Sequence, residues 1–358
     1  MKILTVVGAR PQFIKAAMVS HCLRKKHKEI LVHTGQHYDY NMSEQFFEEL
    51  NIPKPDYNLG ISGGTHAQMT GHMMIAVEEV LQKEQPNWLL VYGDTNSTLA
   101  AALAAAKLHI PICHVEAGAR LHSLENPEEI NRICTDHIGT LLLTSTQNGL
   151  DELIKENLGD RSRFVGDPMF DAFRIYSEKI DVHSIKLQLL EGGEASVPDQ
   201  YYYLTCHREE NTKDDCTLLE ILRAMEQLDA PTIYPVHPRN KVRAIRLQKE
   251  YKISNILLTE PVGYLESACL IRHAIKIVTD SGGLQREAFF AGKKCVTVFP
   301  YAIWPETMVN HRNDLAQSNA ADILYNLAKE QQIDESYRPF GDGDVAEKIV
   351  TEIENTGD

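Results

Sequence analysis

Several features that would assign this chain to a common class are missing. No apolar run is long enough to span a bilayer and no secretory signal is visible, so a cytoplasmic location is expected. Positive charge is scarce: 36 Lys and Arg stand against 50 Asp and Glu, a net charge of −14. An acidic surface argues against nucleic acid and an anionic membrane as partners, yet a few local N–H groups and arginines can still hold a phosphate. The seven cysteines are odd in number and form no CxxC pair, and no HExxH occurs. That pattern suits reduced thiols and gives no reason to expect a metal. The first strand-like run is not followed by GxGxxG, which argues against NAD, and no Walker A motif is present. Repeats and low-complexity tracts are also lacking.

What is present is a steady alternation. Strand-like runs fall at 2–7, 29–34, 88–92, 112–115 and 140–144, then at 201–205, 232–236, 256–259, 274–279 and 294–299. Helical patterns lie between them, as at 65–83, 97–107, 217–228 and 283–291. Alternating strand and helix implies parallel sheets with right-handed crossovers. Five strands in each half predict an α/β fold of two Rossmann-like domains facing a cleft, with ligands at the carboxyl ends of the strands. The predicted division is 1–166 with a C-terminal helix at 344–358, and 167–343 for the second domain. Residues 191–200 read as a surface loop. The stripe Met69, Met73, Met74, Val77, Val80 and Leu81 has helical spacing and reads as core.

The most informative stretch runs from Ile277 to Glu287. A buried strand feeds a Ser281-Gly282-Gly283 turn and then a helix. Such a turn aims helical N–H groups at one spot and favours an anion there. Glu287, six residues on, is placed to reach sugar hydroxyls beyond a phosphate. The alternative is an ordinary strand–helix turn capped by Asp280 or Ser281.

Other polar residues collect at predicted strand ends. Arg10 and Lys15 follow the first strand, and Arg10 suits either a phosphate fork or a surface ion pair. Asp94 follows the third and is either a helix cap or a reactive acid. Glu116 ends the fourth, where burying an acid is costly unless it is paired or functional. Glu128 sits in a helix first turn behind Pro127, which also fits plain dipole stabilisation. His207 and His237 end strands of the second half and read as rim residues or core imidazoles. Gln36 and His37 add a polar rim element after strand two.

Taken in order, these motifs resemble the non-hydrolysing UDP-N-acetylglucosamine 2-epimerases. The matching pieces are GARPQFIK at 8–15, QH at 36–37, GDT at 93–95, HVEAGAR at 114–120, PEEINR at 127–132 and HREEN at 207–211. PVHP at 235–238, EPVGYLE at 260–266, TDSGGLQRE at 279–287 and PFGDG at 339–343 complete the set. The resemblance implies a glycosyltransferase-B type fold, a homodimer, a UDP-sugar substrate, and no metal, nicotinamide or other cofactor. The C2–H bond beside an acetamido group is not acidified by an adjacent carbonyl. The family route is therefore elimination of UDP to a glucal and re-addition with a proton delivered to the other face. Carried over by motif, Asp94, Glu116 and Glu128 are the acid/base groups, expected to lie near one another. His207, Arg10 and the Ser281–Gly283 amides hold the diphosphate, Glu287 the ribose, and Tyr264 lies in the segment that meets the base. Lys15 and His237 join the binding set, and Gln36 and His37 are candidate regulatory residues.

Two departures bear on specificity. Where the family carries RDxTExxE, this chain reads Phe299-Pro300-Tyr301-Ala302-Ile303-Trp304-Pro305-Glu306. Gly71 stands where many bacterial members place an allosteric arginine. The GARPQ start, in place of GTRPE, resembles a branch acting on UDP-2,3-diacetamido-glucuronic acid. Alternatives to the main reading are therefore a modified UDP-sugar, a hydrolysing variant, a glycosyltransferase, or an inactive nucleotide-sugar binder.

Overall fold

The alternation of short apolar runs with helices builds two parallel sheets in the computed structural model, which describes residues 1–36 and 49–357. The chain divides into two compact units, Met1–Ala172 with Arg338–Asp358, and Phe173–Tyr337. The corresponding limits read from the sequence were 166/167 and 343/344.

Among the described residues, unit 1 holds seven strands: β1 (Lys2–Val7), β2 (Lys28–His33), β3 (Tyr57–Asn58), β4 (Trp88–Tyr92), β5 (Ile112–Ala117), β6 (Leu141–Thr144) and β7 (Ser162–Phe164). They lie in the order β3-β2-β1-β4-β5-β6-β7, all parallel. Val, Ile and Leu on both faces of β1, β2 and β4 pack under helices, as buried parallel strands require. The stripe of Met73, Val77, Val80 and Leu81 on the helix His66–Glu84 is buried core, with Met74 packed beside it.

Unit 2 begins with a two-stranded antiparallel ribbon, β8 (Lys186–Gln188) and β9 (Glu194–Ser196). Its main sheet has β10 (Tyr202–Thr205), β11 (Thr232–Pro235), β12 (Ile256–Thr259), β13 (Lys276–Thr279), β14 (Lys294–Thr297) and β15 (Asn313–Leu315). The order is β12-β11-β10-β13-β14-β15, again parallel. Both sheets thus share one doubly wound plan. The order reverses between β1 and β4 in unit 1 and between β10 and β13 in unit 2, and crevices for ligands form at such reversals.

The sequence reading of five strands per half undercounts. It omitted β3, β7 and β15, whose two or three residues leave no periodicity. It also took 191–200 for loop, whereas Glu194–Ser196 pairs with Lys186–Gln188. The C-terminal helix, Val345–Gly357, belongs to unit 1. Glu354 reaches Lys26 and His27 at 3.1 and 2.9 Å, and Asp171 accepts the Ala346 N–H at 3.0 Å.

Candidate active site

In unit 1 the reactive residues gather at the β1/β4 reversal. The helix Arg10–Leu23 starts directly behind β1, with Pro11 in its first turn and Arg10, half-buried, as its first residue. Gln12 fixes that start. Its Oε1 accepts from the N–H groups of Gly8 and Ala9 at 2.7 and 3.0 Å, and its Nε2 donates to the Tyr92 carbonyl at 2.7 Å. One amide therefore ties the ends of β1 and β4 together.

Lys15, one turn further, is 3% exposed and pairs with Glu116 at 2.6 Å. Glu116 sits at a bulge in β5, between Val115 and Ala117, with φ +71°. A left-handed conformation is costly for a residue with a Cβ and tends to mark functional sites. The turn Gly93-Asp94 lies alongside: a Cβ on Gly93 would be 3.4 Å from Glu116 Oε1 and 3.5 Å from Lys15 Nζ. Asp94 does not cap the next helix, since Thr95 does so by accepting from Thr98 N–H. Asp94 instead meets Arg132, and its carbonyl accepts from Asn131 at 2.9 Å. Glu116 and Asp94 thus each meet a cation, Lys15 and Arg132 respectively.

Glu128 is exposed in the first turn of the helix Pro127–Ile138. Its neighbour Glu129 is buried and takes the N–H groups of Leu121 and His122 at 2.9 and 3.0 Å and Arg132 at 2.6 Å. This helix buries an all-polar face of Glu129, Asn131, Arg132, Thr135 and Asp136, while Ile130 is exposed. Arg132 and Asp136 were not singled out from the sequence; a polar stripe at helical spacing is the signal that marks them. Burial alone would push the Asp136 carboxyl up, but His114 and Arg120 beside it hold it below the usual carboxylate range. Gln36 accepts from Ser97 Oγ and N–H at 2.6 and 3.1 Å, bracing the helix Asn96–Lys107. His37 lies outside the described residues.

In unit 2 the corresponding residues surround the β10/β13 reversal. Ser281 caps the helix Gly282–Phe290 by accepting from Leu284 N–H at 3.4 Å. Capping and anion binding are compatible here. A Cβ on Gly283 would meet only Ser281 Oγ, at 3.7 Å, so the protein's own packing does not demand glycine there. Asp280, nearly fully buried, accepts the N–H groups of His207 and Arg208, each at 2.9 Å, and its other oxygen lies 3.2 Å from His207 Nδ1. It thereby locks the β10 end to the β13 end. His207 is 41% exposed and stacks on exposed His237 with ring centroids 6.3 Å apart, so neither is a core imidazole. Glu287 and Tyr264 are buried, and Tyr264 lies edge-on to Tyr176 at 6.0 Å.

The departing segment is also placed. Phe299 lies under the Arg208 guanidinium at 4.1 Å and Trp304 under that of Arg286 at 4.2 Å. Ile303 packs over Gly282, close enough to exclude a Cβ there. Among the described residues, no group of His, Cys, Asp and Glu is arranged to hold a metal ion, and no helix is long and apolar enough to cross a membrane.

Two Rossmann-like units with polar groups at both strand-order reversals define an α/β protein of the glycosyltransferase-B type. Residues 21–354 match the family described as UDP-N-acetylglucosamine 2-epimerase, and the chain belongs to that family. A Methanococcus maripaludis relative, named UDP-N-acetylglucosamine 2-epimerase homolog, is 44% identical over 99% of this chain and 100% of its own. A Pseudomonas aeruginosa relative, named UDP-2,3-diacetamido-2,3-dideoxy-D-glucuronate 2-epimerase, is 43% identical over 98% of both chains. The Methanocaldococcus jannaschii UDP-GlcNAc 2-epimerase, solved with UDP-GlcNAc and UDP, superposes with a TM-score of 0.86 at 36% identity, covering 99% of this chain and 100% of that one.

Proposed function

We propose that the protein reversibly inverts C2 of UDP-N-acetylglucosamine, giving UDP-N-acetylmannosamine. The observation that carries this reading is Glu116, a buried carboxylate at a left-handed bulge, paired with Lys15 and beside the Asp94 turn. A base takes the C2 proton, the C1–O bond to UDP breaks with its electrons leaving on UDP, and a C1=C2 double bond forms. Return of UDP to C1 with proton delivery to the opposite face of C2 completes the inversion. Glu116, Asp94 and Glu128 are the candidate groups for taking and returning that proton. In unit 2 the Ser281–Gly283 amides, with His207 held through its backbone N–H on Asp280, suit the departing diphosphate. Arg10 is the candidate phosphate ligand of unit 1, while in unit 2 Glu287 takes the ribose hydroxyls, and Tyr264 and His237 serve the uridine end. The same reading includes a homodimer, which light scattering tests against the 40.4 kDa protomer. A cytoplasmic location fits seven free cysteines.

Proton NMR of UDP-N-acetylglucosamine with the protein in heavy water tests this. A second anomeric signal with deuterium at C2 is expected, and Glu128→Gln is expected to abolish exchange while leaving UDP binding intact. Free hexosamine would instead mark a hydrolase. Bound UDP with no exchange and no second sugar would overturn the reading for this substrate.

A second reading is favoured by one feature. The segment 299–304 brings its aromatic rings under Arg208 and Arg286, cations that suit a sugar carboxylate. The 43% identical Pseudomonas aeruginosa relative is named for such a substrate. A higher kcat/KM for UDP-2,3-diacetamido-2,3-dideoxy-glucuronate than for UDP-N-acetylglucosamine would select it.

A further inference from the structure

We propose that Asp136 is a positioning residue that, through His114 and Arg120, holds both the Glu116 bulge and the Gly93-Asp94 turn in the register the C2 chemistry needs. The proposal rests on the epimerase reading above. Asp136 is fully buried. Its carboxylate takes three donors: His114 Nδ1 at 2.7 Å, Gly118 N–H at 3.1 Å and Arg120 Nη1 at 2.7 Å. These come from two residues before, two after and four after Glu116. One carboxylate thus pins the chain on both sides of the bulge.

The second ring nitrogen of His114 extends the hold. Nε2 lies 2.7 Å from the Gly93 carbonyl, so the two ring nitrogens tie the Asp136 carboxylate to the Gly93-Asp94 turn. Gly93 precedes Asp94, which places the two candidate acids under one buried anchor. Arg120 is braced from its other side by Glu156, at 2.7 and 2.9 Å. Gly118 has no alternative: at φ +80° a Cβ would lie 2.2 Å from the Gly149 carbonyl oxygen. Glu116 is the only residue of β5 at positive φ, a conformation that persists only where its surroundings over-determine it. Asp136 supplies that constraint, which gives the HVEAGAR motif a physical reading: His114, Gly118 and Arg120 serve the anchor and Glu116 serves the reaction.

The test is Asp136→Asn, which keeps the shape and removes the charge. Its kcat for C2 exchange is expected to fall about 100-fold, as for a small misplacement of a reacting group, with KM and UDP affinity unchanged. Added to Glu116→Gln, Asp136→Asn is expected to cost nothing further, whereas a purely structural loss would multiply. A crystal structure of the single variant is expected to show residue 116 relaxed from positive φ and the Lys15 contact opened. Should Asp136→Asn fail to fold, His114→Gln, which leaves Arg120 on Asp136, is expected to show the same selective loss of kcat. Wild-type kcat in either folded variant, or an unchanged Glu116 conformation in the Asp136→Asn crystal, overturns the proposal. A wild-type enzyme silent in the exchange assay would overturn the epimerase reading instead, and the variant's crystal structure would still decide the role of Asp136.

Discussion

Lys15 and Glu116 carry the residue-scale logic. With side chains 3% and 8% exposed, the pair sits where solvent does not screen it. Removing one partner of such a pair leaves a buried charge uncompensated, at a cost of about 3–5 kcal/mol. Lys15→Met is therefore expected to lower the urea-derived stability by about that amount, while Lys15→Met with Glu116→Gln recovers most of it. Both variants are expected to lose C2 exchange by at least about 100-fold, the usual share of an acid/base group. Equal stability of wild type and Lys15→Met would mean the pair is not buried in solution. Glu116 was legible in the sequence because an acid inside an apolar strand end is costly. Its supports were not. Asp136 lies 22 residues from His114 and Arg132 lies 38 from Asp94, and only the sheet order brings each pair together.

At the scale of elements, the legible parts were those with a period or a turn signature. Long apolar strands such as Lys2–Val7 and Trp88–Tyr92 declare themselves, as does the Ser281 turn. Asn313–Leu315 does not, being three residues with one apolar side chain. The helix Pro127–Ile138 misleads more subtly, because its buried face is the polar one. That inversion has a consequence for acid stability. Folded Asp136 is held below its ordinary carboxyl value by His114 and Arg120 despite burial. Its contribution is complete above the unfolded value near about pH 4 and is lost as pH falls through the lower folded value. The Tm of wild type is thus expected to drop below about pH 4 more steeply than that of Asp136→Asn, by calorimetry across pH. Parallel acid limbs would count against the pairing. In unit 2, Gly283→Ala separates two roles of one turn. Its Cβ has room, so stability is expected to hold or rise by up to about 1 kcal/mol. UDP affinity, measured by calorimetric titration, is expected to fall at least about tenfold if the amides cradle a phosphate. Undiminished affinity would move the diphosphate off this helix end.

At the scale of the whole molecule, both sheets follow the same strand order, yet the units differ in how the chain supplies them. Residues 173–337 form unit 2 as one stretch, whereas unit 1 needs Arg338–Asp358 as well as its first 172 residues. Domain count and class were readable from the alternation of elements. The ties of the tail to unit 1 were not, since contacts such as Glu354 with Lys26 join residues more than three hundred positions apart. Deleting 338–358 is expected to lower the melting transition of unit 1 and leave that of unit 2 in place, resolved by calorimetry as two transitions. A single transition unchanged by the deletion would show the tail to be dispensable.

The tail also sets an order of events during synthesis. Translation proceeds from the N-terminus, so every residue of unit 2 has been made before unit 1 receives its last helix, Val345–Gly357. The half that carries Glu116 keeps the side of the helix Arg10–Leu23 that receives this tail uncovered until Val345–Gly357 has been made, and that is the interval in which a chaperone would find it.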